Sequence, residues 1–177
     1  MNPKKPGADE YAPYHEKYVG LIPGDDIVSV LEAHLRQSIA MFSGRSEREG
    51  DFRYAPDKWT VKEILCHVAD AERIFSYRAL RIARGDKTPL PGFDQDPYVP
   101  LSRANERKLP DIVEEFADVR RASISLFGSL DAAAWMRKGV VNDHELSVRA
   151  LAYIAAGHEL HHRRILEERY FPAIPRA

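Results

Sequence analysis

The sequence predicts an all-α fold, a four-helix bundle with one long crossover loop. Three observations predict it. Four segments repeat apolar residues at the helical period, capping residues and prolines mark most of their ends, and almost nothing alternates in the manner of a strand. The chain has 177 residues, enough for one domain with a proper core.

Residues 1–24 are rich in Pro, Gly and Tyr and read as an N-terminal extension that drapes over the domain or frays. The bundle domain is expected over residues 25–171. Its first helix runs from Asp25 to Phe42, with Asp25 and Asp26 favouring the N-terminus electrostatically. Ile27, Leu31, Leu35 and Phe42 form its apolar face. The second helix opens on a capping-box pattern, Thr60 to Glu63, and continues to Arg84, where Gly85 is a stop signal. Its core line passes through Ile64, Val68, Ala71, Phe75 and Ile82, with His67 at the margin.

Four prolines between Asp86 and Ser102 forbid continued helix. Loops this long are often functional, and Phe93 and Tyr98 are its candidate pocket walls. Pro110, at a first-turn position, opens the third helix, whose stripe is Ile112, Phe116, Val119, Ser123 and Phe127. Asp131 to Trp135 adds a short turn before a polar loop through Asn142 and His144. Ser147 caps the fourth helix and Pro172 ends it. Four broad apolar stripes of this kind pack as a bundle.

Bulk properties exclude some functions. The 26 basic and 27 acidic residues leave a net charge of −1, without the positive footprint of a nucleic-acid binder. The arginines from Arg73 to Arg84 lie among Glu63, Asp70 and Glu72, and read as a solvated face. No apolar run approaches the roughly 20 residues of a membrane span. Cys66 is the only cysteine, so no intramolecular disulfide can form. The first residues lack a signal peptide's apolar centre, and a cytoplasmic location is the expectation.

The chemistry concentrates in the fourth helix. His158 and His162 are one turn apart, near the centre of an arc that collects Val148, Leu151, Ile154, Ala155 and Ile165. Side chains at i and i+4 point the same way and can chelate one cation. His67, on the second helix, can meet them across a cleft and complete three neutral nitrogen ligands with positions left open, the pattern of catalytic sites. His161 lies about 60° from His158 on the other side, at the edge of the stripe. His34 reads as a border residue of the first helix, and Asp70 as an exposed carboxylate or an orienting group for an imidazole. Arg78 shares the His67 side of its helix and could attract an acidic substrate, though a solvated or ion-paired arginine is the plainer expectation.

His158, Glu159 and His162 also match H-E-x-x-H, in which the glutamate of a metalloprotease activates water. The context opposes that reading. A metzincin needs a glycine at position 165 and a histidine at 168, where this chain has Ile165 and Glu168. No strand-rich segment precedes the motif, and Glu159 turns about 100° from His158 toward the flank of the stripe.

Trp59 before the capped second helix, His67 within it, and the late segment Gly157, His158, His161, His162 resemble the DinB/YfiT-like superfamily. The resemblance extends from about Tyr11 to Tyr170. It implies a four-helix bundle holding one divalent transition-metal ion on His67, His158 and His162, with water completing the coordination. Zinc or nickel is the expected ion. It further implies a metal-dependent enzyme acting on a small-molecule substrate, in which a thiol or water is activated for S-transfer or hydrolysis. Low-molecular-weight thiols such as bacillithiol or mycothiol serve some members as cosubstrates. A homodimer is expected, because relatives include homodimers and a bundle face can pair. The alternative is a non-catalytic metal-binding or stress-related helical module, which a closed fourth ligand would favour.

Overall fold

The structure, a computed structural model, describes residues 4–175. Its bundle consists of α2 (Ile27–Phe42), α4 (Val61–Ala83), α6 (Leu109–Gly128) and α8 (Val148–Ile165). Shorter helices α1 (Glu16–Val19), α3 (Glu47–Gly50), α5 (Tyr98–Leu101) and α7 (Ala132–Met136) lie between them. Both α2 and α4 pack against α6 and against α8. Consecutive long helices α2 and α4 are therefore diagonal partners, and α8 reaches its place beside α4 only after the chain has laid down α6. Among the described residues, no helix is long and apolar enough to cross a membrane.

The capping chemistry fixes the helix starts. Asp26 accepts from the Ser29 amide at 3.1 Å. Thr60 and Glu63 complete a reciprocal capping box at α4. Ser147 accepts from the Ala150 amide at 3.0 Å, and Pro110 sits in the first turn of α6. Each cap satisfies amides that have no partner within the helix. Beyond Ile165 the last helix widens into a π turn, Leu166–Tyr170, before Pro172.

Two features differ from the expectation. Residues expected as a polar loop form an antiparallel hairpin, β1 (Lys138–Val141) with β2 (His144–Ser147), in which Val141 faces His144 and Lys138 faces Ser147. Asn142 and Asp143 both take positive φ, 48° and 63°, as a two-residue hairpin turn requires. Leu90 of the crossover loop joins as a third rail: its amide donates to the Val140 carbonyl and its carbonyl accepts from the Asn142 amide, each at 2.9 Å. The second difference is the N-terminal segment, which takes part in the core. Ala12, Val19 and Ile22 are buried, and α1 packs directly on α8.

Gly157 permits that approach. A Cβ there would lie 2.1 Å from the Tyr18 carbonyl oxygen, so α1 can rest on α8 only where a side chain is missing.

The apolar interior has two parts. One gathers Leu31, Phe75, Ile82, Phe127, Leu151 and Ile154; the other gathers Phe42, Ile64, Leu65, Ile112, Phe116 and Leu166. The α6 stripe keeps Ile112, Phe116, Ser123 and Phe127 buried as expected, and departs from the expectation at one position. Val119 is half-buried while Arg120 is wholly buried, its guanidinium donating to both carboxylate oxygens of Glu72 at 2.7 and 2.8 Å. Glu72 thus belongs to the interior and not to a solvated face.

Candidate metal centre

The three histidines meet where the two parts of the core join. On α4, His67 falls between Ile64 of one cluster and Ala71 of the other; on α8, His158 and His162 fall between Leu151 and Leu166. Because α4 and α8 are neighbours, the i, i+4 pair faces the single histidine across their interface. His67 is buried and not marginal, as is His158, whereas His162 is half-buried.

One ligand atom from each of His67, His158 and His162 lies within 4.8 Å of the others. The Nε2 atoms of His67 and His158 are 3.1 Å apart. Nitrogens held about 2.0–2.1 Å from one cation, at right angles or at the tetrahedral angle, are separated by roughly 2.8–3.4 Å. The observed pair fits that separation, and no fourth imidazole, thiolate or carboxylate among the described residues joins the group.

Burial sets the protonation. Desolvation pulls His67 down to about 4; it pulls His162 to about 3, with the neighbouring His67 and His161 acting the same way. His158 is held well below its ordinary value by burial and by the other two rings. All three are neutral near pH 7, the form in which imidazole ligates.

Aromatic rings enclose the group. Tyr18 and Phe75 stand edge-on to His158 at centroid distances of 5.3 and 5.8 Å, and Trp59 tilts against His67 at 4.9 Å. Cavities nevertheless reach it. A cavity of about 320 Å³ ends on His158, beneath the crossover loop and the hairpin tip. A second, of about 210 Å³, ends on His162 between Trp59 and Tyr170. Phe93 lines the larger cavity as expected; Tyr98 does not, and tilts against Phe93 from outside at 5.8 Å with its own ring half exposed. Asn142, at the hairpin turn, is a lining residue that sequence reasoning missed. Its Asn-Asp turn dipeptide was the available signal.

The remaining candidates lie outside the group. His161 is half-buried beside Tyr18 and His162. His34 is not a border residue: it is buried, its Nδ1 2.9 Å from Glu159 Oε2. Asp70 accepts from Arg73 at 3.0 Å, not from an imidazole. Cys66 is buried, and burial pushes its thiol up to about 11.

Glu159 turns away from the imidazoles, as its helical angle implied, yet lies in the interior. Ser38 Oγ donates to its Oε1 at 2.5 Å, and Arg163 approaches at 3.8 Å. Burial raises its pKa, but His34, Arg120 and Arg163 together outweigh that and hold the carboxyl below its ordinary value. A glutamate engaged in this way is not placed to act as the base of an H-E-x-x-H protease.

A family model of the DinB superfamily matches residues 31–166. Among solved structures, "YfiT from Bacillus subtilis", described there as "a probable metal-dependent hydrolase with an unusual four-helix bundle topology", aligns with a TM-score of 0.66. The identity is 15%, over 94% of this chain and 91% of that one. At that identity the likeness is one of fold. No curated protein matches the chain.

Proposed function

The chain belongs to the DinB superfamily, and on that premise we propose that it is a divalent-metal-dependent enzyme whose cation is held by His67, His158 and His162. The observation that carries this reading is the juxtaposition of three neutral, converging imidazoles with a cavity large enough for a small organic molecule. A bound cation would lower the pKa of a water or thiol and so supply a nucleophile near neutral pH.

The chain's own residues do the rest. The imidazoles need shed no proton to ligate, because burial already keeps them neutral. Tyr18 and Phe75 cover part of the His158 ring and lower the local polarity on that side, which would strengthen electrostatic interactions there. Glu159 holds α8 to α2 through Ser38 and His34, and so orients the helix that carries two ligands.

Hydrolysis of a small-molecule substrate is the first reading, in keeping with the likeness to YfiT. Thiol transfer is the second, and the cavity ending on His162 favours it, since a thiol and an electrophile could approach from different sides. The test is a screen of zinc- and nickel-loaded protein against ester and amide hydrolysis and against thiol addition to electrophiles. Turnover that a chelator abolishes, that added metal restores and that His67→Ala lacks supports the proposal. Absence of metal-dependent turnover in both reaction classes contradicts it and leaves a non-catalytic helical module.

A further inference from the structure

The larger of these two cavities contains a buried cation that no described residue pairs with. Arg78, on α4 beyond His67, is only 7% exposed. It has no ion pair among the described residues: its Nη2 donates to the Pro91 carbonyl at 2.6 Å, and its guanidinium carbon lies 5.5 Å from the Phe93 ring centroid. Burial lowers its pKa, and no carboxylate acts to restore it. Other buried arginines are treated differently, since Arg120 has both oxygens of Glu72 and Arg163 has Glu159 nearby. Removing a cation from water without a counter-ion costs several kcal/mol. Arg78 and its counterpart His15 share this cavity. His15 is 8% exposed, and its buried Nδ1 has no hydrogen-bond partner among the described residues.

We infer that this cavity binds a small organic carboxylate, with the carboxylate on Arg78 beside His15 and an apolar body among Tyr18, Phe75 and Phe93, so that the rest of the molecule points toward His158. A guanidinium offers five N–H donors in a planar fork, which suits a carboxylate's two oxygens even after one donor is committed to Pro91. The cavity rim favours a single negative charge. Asp94 and Asp96 are exposed among its lining residues, where Lys17 and Arg78 are the cations, so a dianionic phosphate ester would meet more repulsion than a single negative charge. At about 320 Å³ the space is of small-ligand size. The direction of the ligand toward His158 rests on the metal-enzyme reading; the anion site itself does not.

Phenylacetate is a suitable probe, with phenylacetamide as its neutral counterpart and phenyl phosphate as the dianion. Calorimetric titrations are run on metal-stripped and on zinc-loaded protein. Phenylacetate is expected to bind saturably in both states, and phenylacetamide about tenfold or more weakly, the worth of a hydrogen bond to a charged group. Arg78→Gln is expected to reduce phenylacetate affinity by about the same factor while leaving phenylacetamide unchanged, and Arg78→Lys to fall between. The comparison of the two ligands on wild type needs no variant to fold. Equal binding of phenylacetate and phenylacetamide, no binding of either, or tighter binding of phenyl phosphate would overturn the inference. So would phenylacetate binding that requires zinc and survives Arg78→Gln, which would put the carboxylate on the metal and leave the metal reading intact. Arg78-dependent binding in protein that takes up no metal would break the metal reading alone.

Discussion

Replacing Gly157 by alanine sets two magnitudes against each other. In a helix interior the change gains about 1 kcal/mol, because glycine loses more backbone entropy on folding. At this position the new Cβ would stand 2.1 Å from the Tyr18 carbonyl oxygen, where ordinary contact begins at 3.4 Å. The obstacle is backbone, so no side-chain rotation relieves it, and α1 must retreat by about 1.3 Å from α8. Overpacking of this kind costs about 1–3 kcal/mol. The middle of that range outweighs the helical gain by about 1 kcal/mol, which for a chain of this size lowers Tm by roughly 2–4 °C. The same retreat draws the Tyr18 ring away from His158 and uncovers that imidazole further. Thermal melting followed by circular dichroism reads the first effect, and zinc affinity, expected to weaken, reads the second. A variant that melts higher than wild type with unchanged zinc affinity would refute the close approach of α1.

Three further outcomes follow from the same structure. His67 and His162 titrate in the fold at about 4 and about 3, against an ordinary 6.5; their folded values are depressed, so the stability they contribute is complete above the unfolded value and is lost as pH falls toward the folded one. Urea unfolding of metal-free protein should therefore show a loss of up to about 2 kcal/mol for each of these two histidines between about pH 7 and pH 5, less for the half-buried His162, and a constant midpoint would contradict it. Arg120→Met alone should cost about 3–5 kcal/mol by leaving Glu72 buried and unpaired, whereas adding Glu72→Leu should recover most of it; equal losses would show that the pair is not coupled. Glu159→Gln should weaken folding yet retain metal content and metal-dependent turnover, whereas loss of turnover in a folded, metal-loaded variant would restore it as a base.

The legible parts of this protein are those set by local rules. Thr60 with Glu63, and Ser147 before its apolar run, announce α4 and α8 because a cap is read within a few residues. His158 and His162 share a face by helical geometry alone, and pairing them with His67 requires only that two apolar stripes meet. What stayed hidden depends on partners distant in sequence. Glu159 looks like a flank residue until Ser38, 121 positions away, donates to it. Arg120 looks polar and outward until Glu72 neutralises it. The hairpin escaped because each strand has four residues, and Asn142-Asp143 is a weaker turn signal than a pair containing glycine. The core role of the N-terminal segment escaped for a similar reason: α1 is a single turn and has no periodicity to read.

Metal content tests the central claim most directly. Elemental analysis of untagged protein, after saturation with zinc and removal of excess, should find about one divalent ion per chain, as three converging imidazoles imply. The same measurement on a folded variant carrying His67→Ala, His158→Ala and His162→Ala should find none. If wild type retains no more metal than the variant, the three histidines are a packed layer between two cores and the enzyme reading fails.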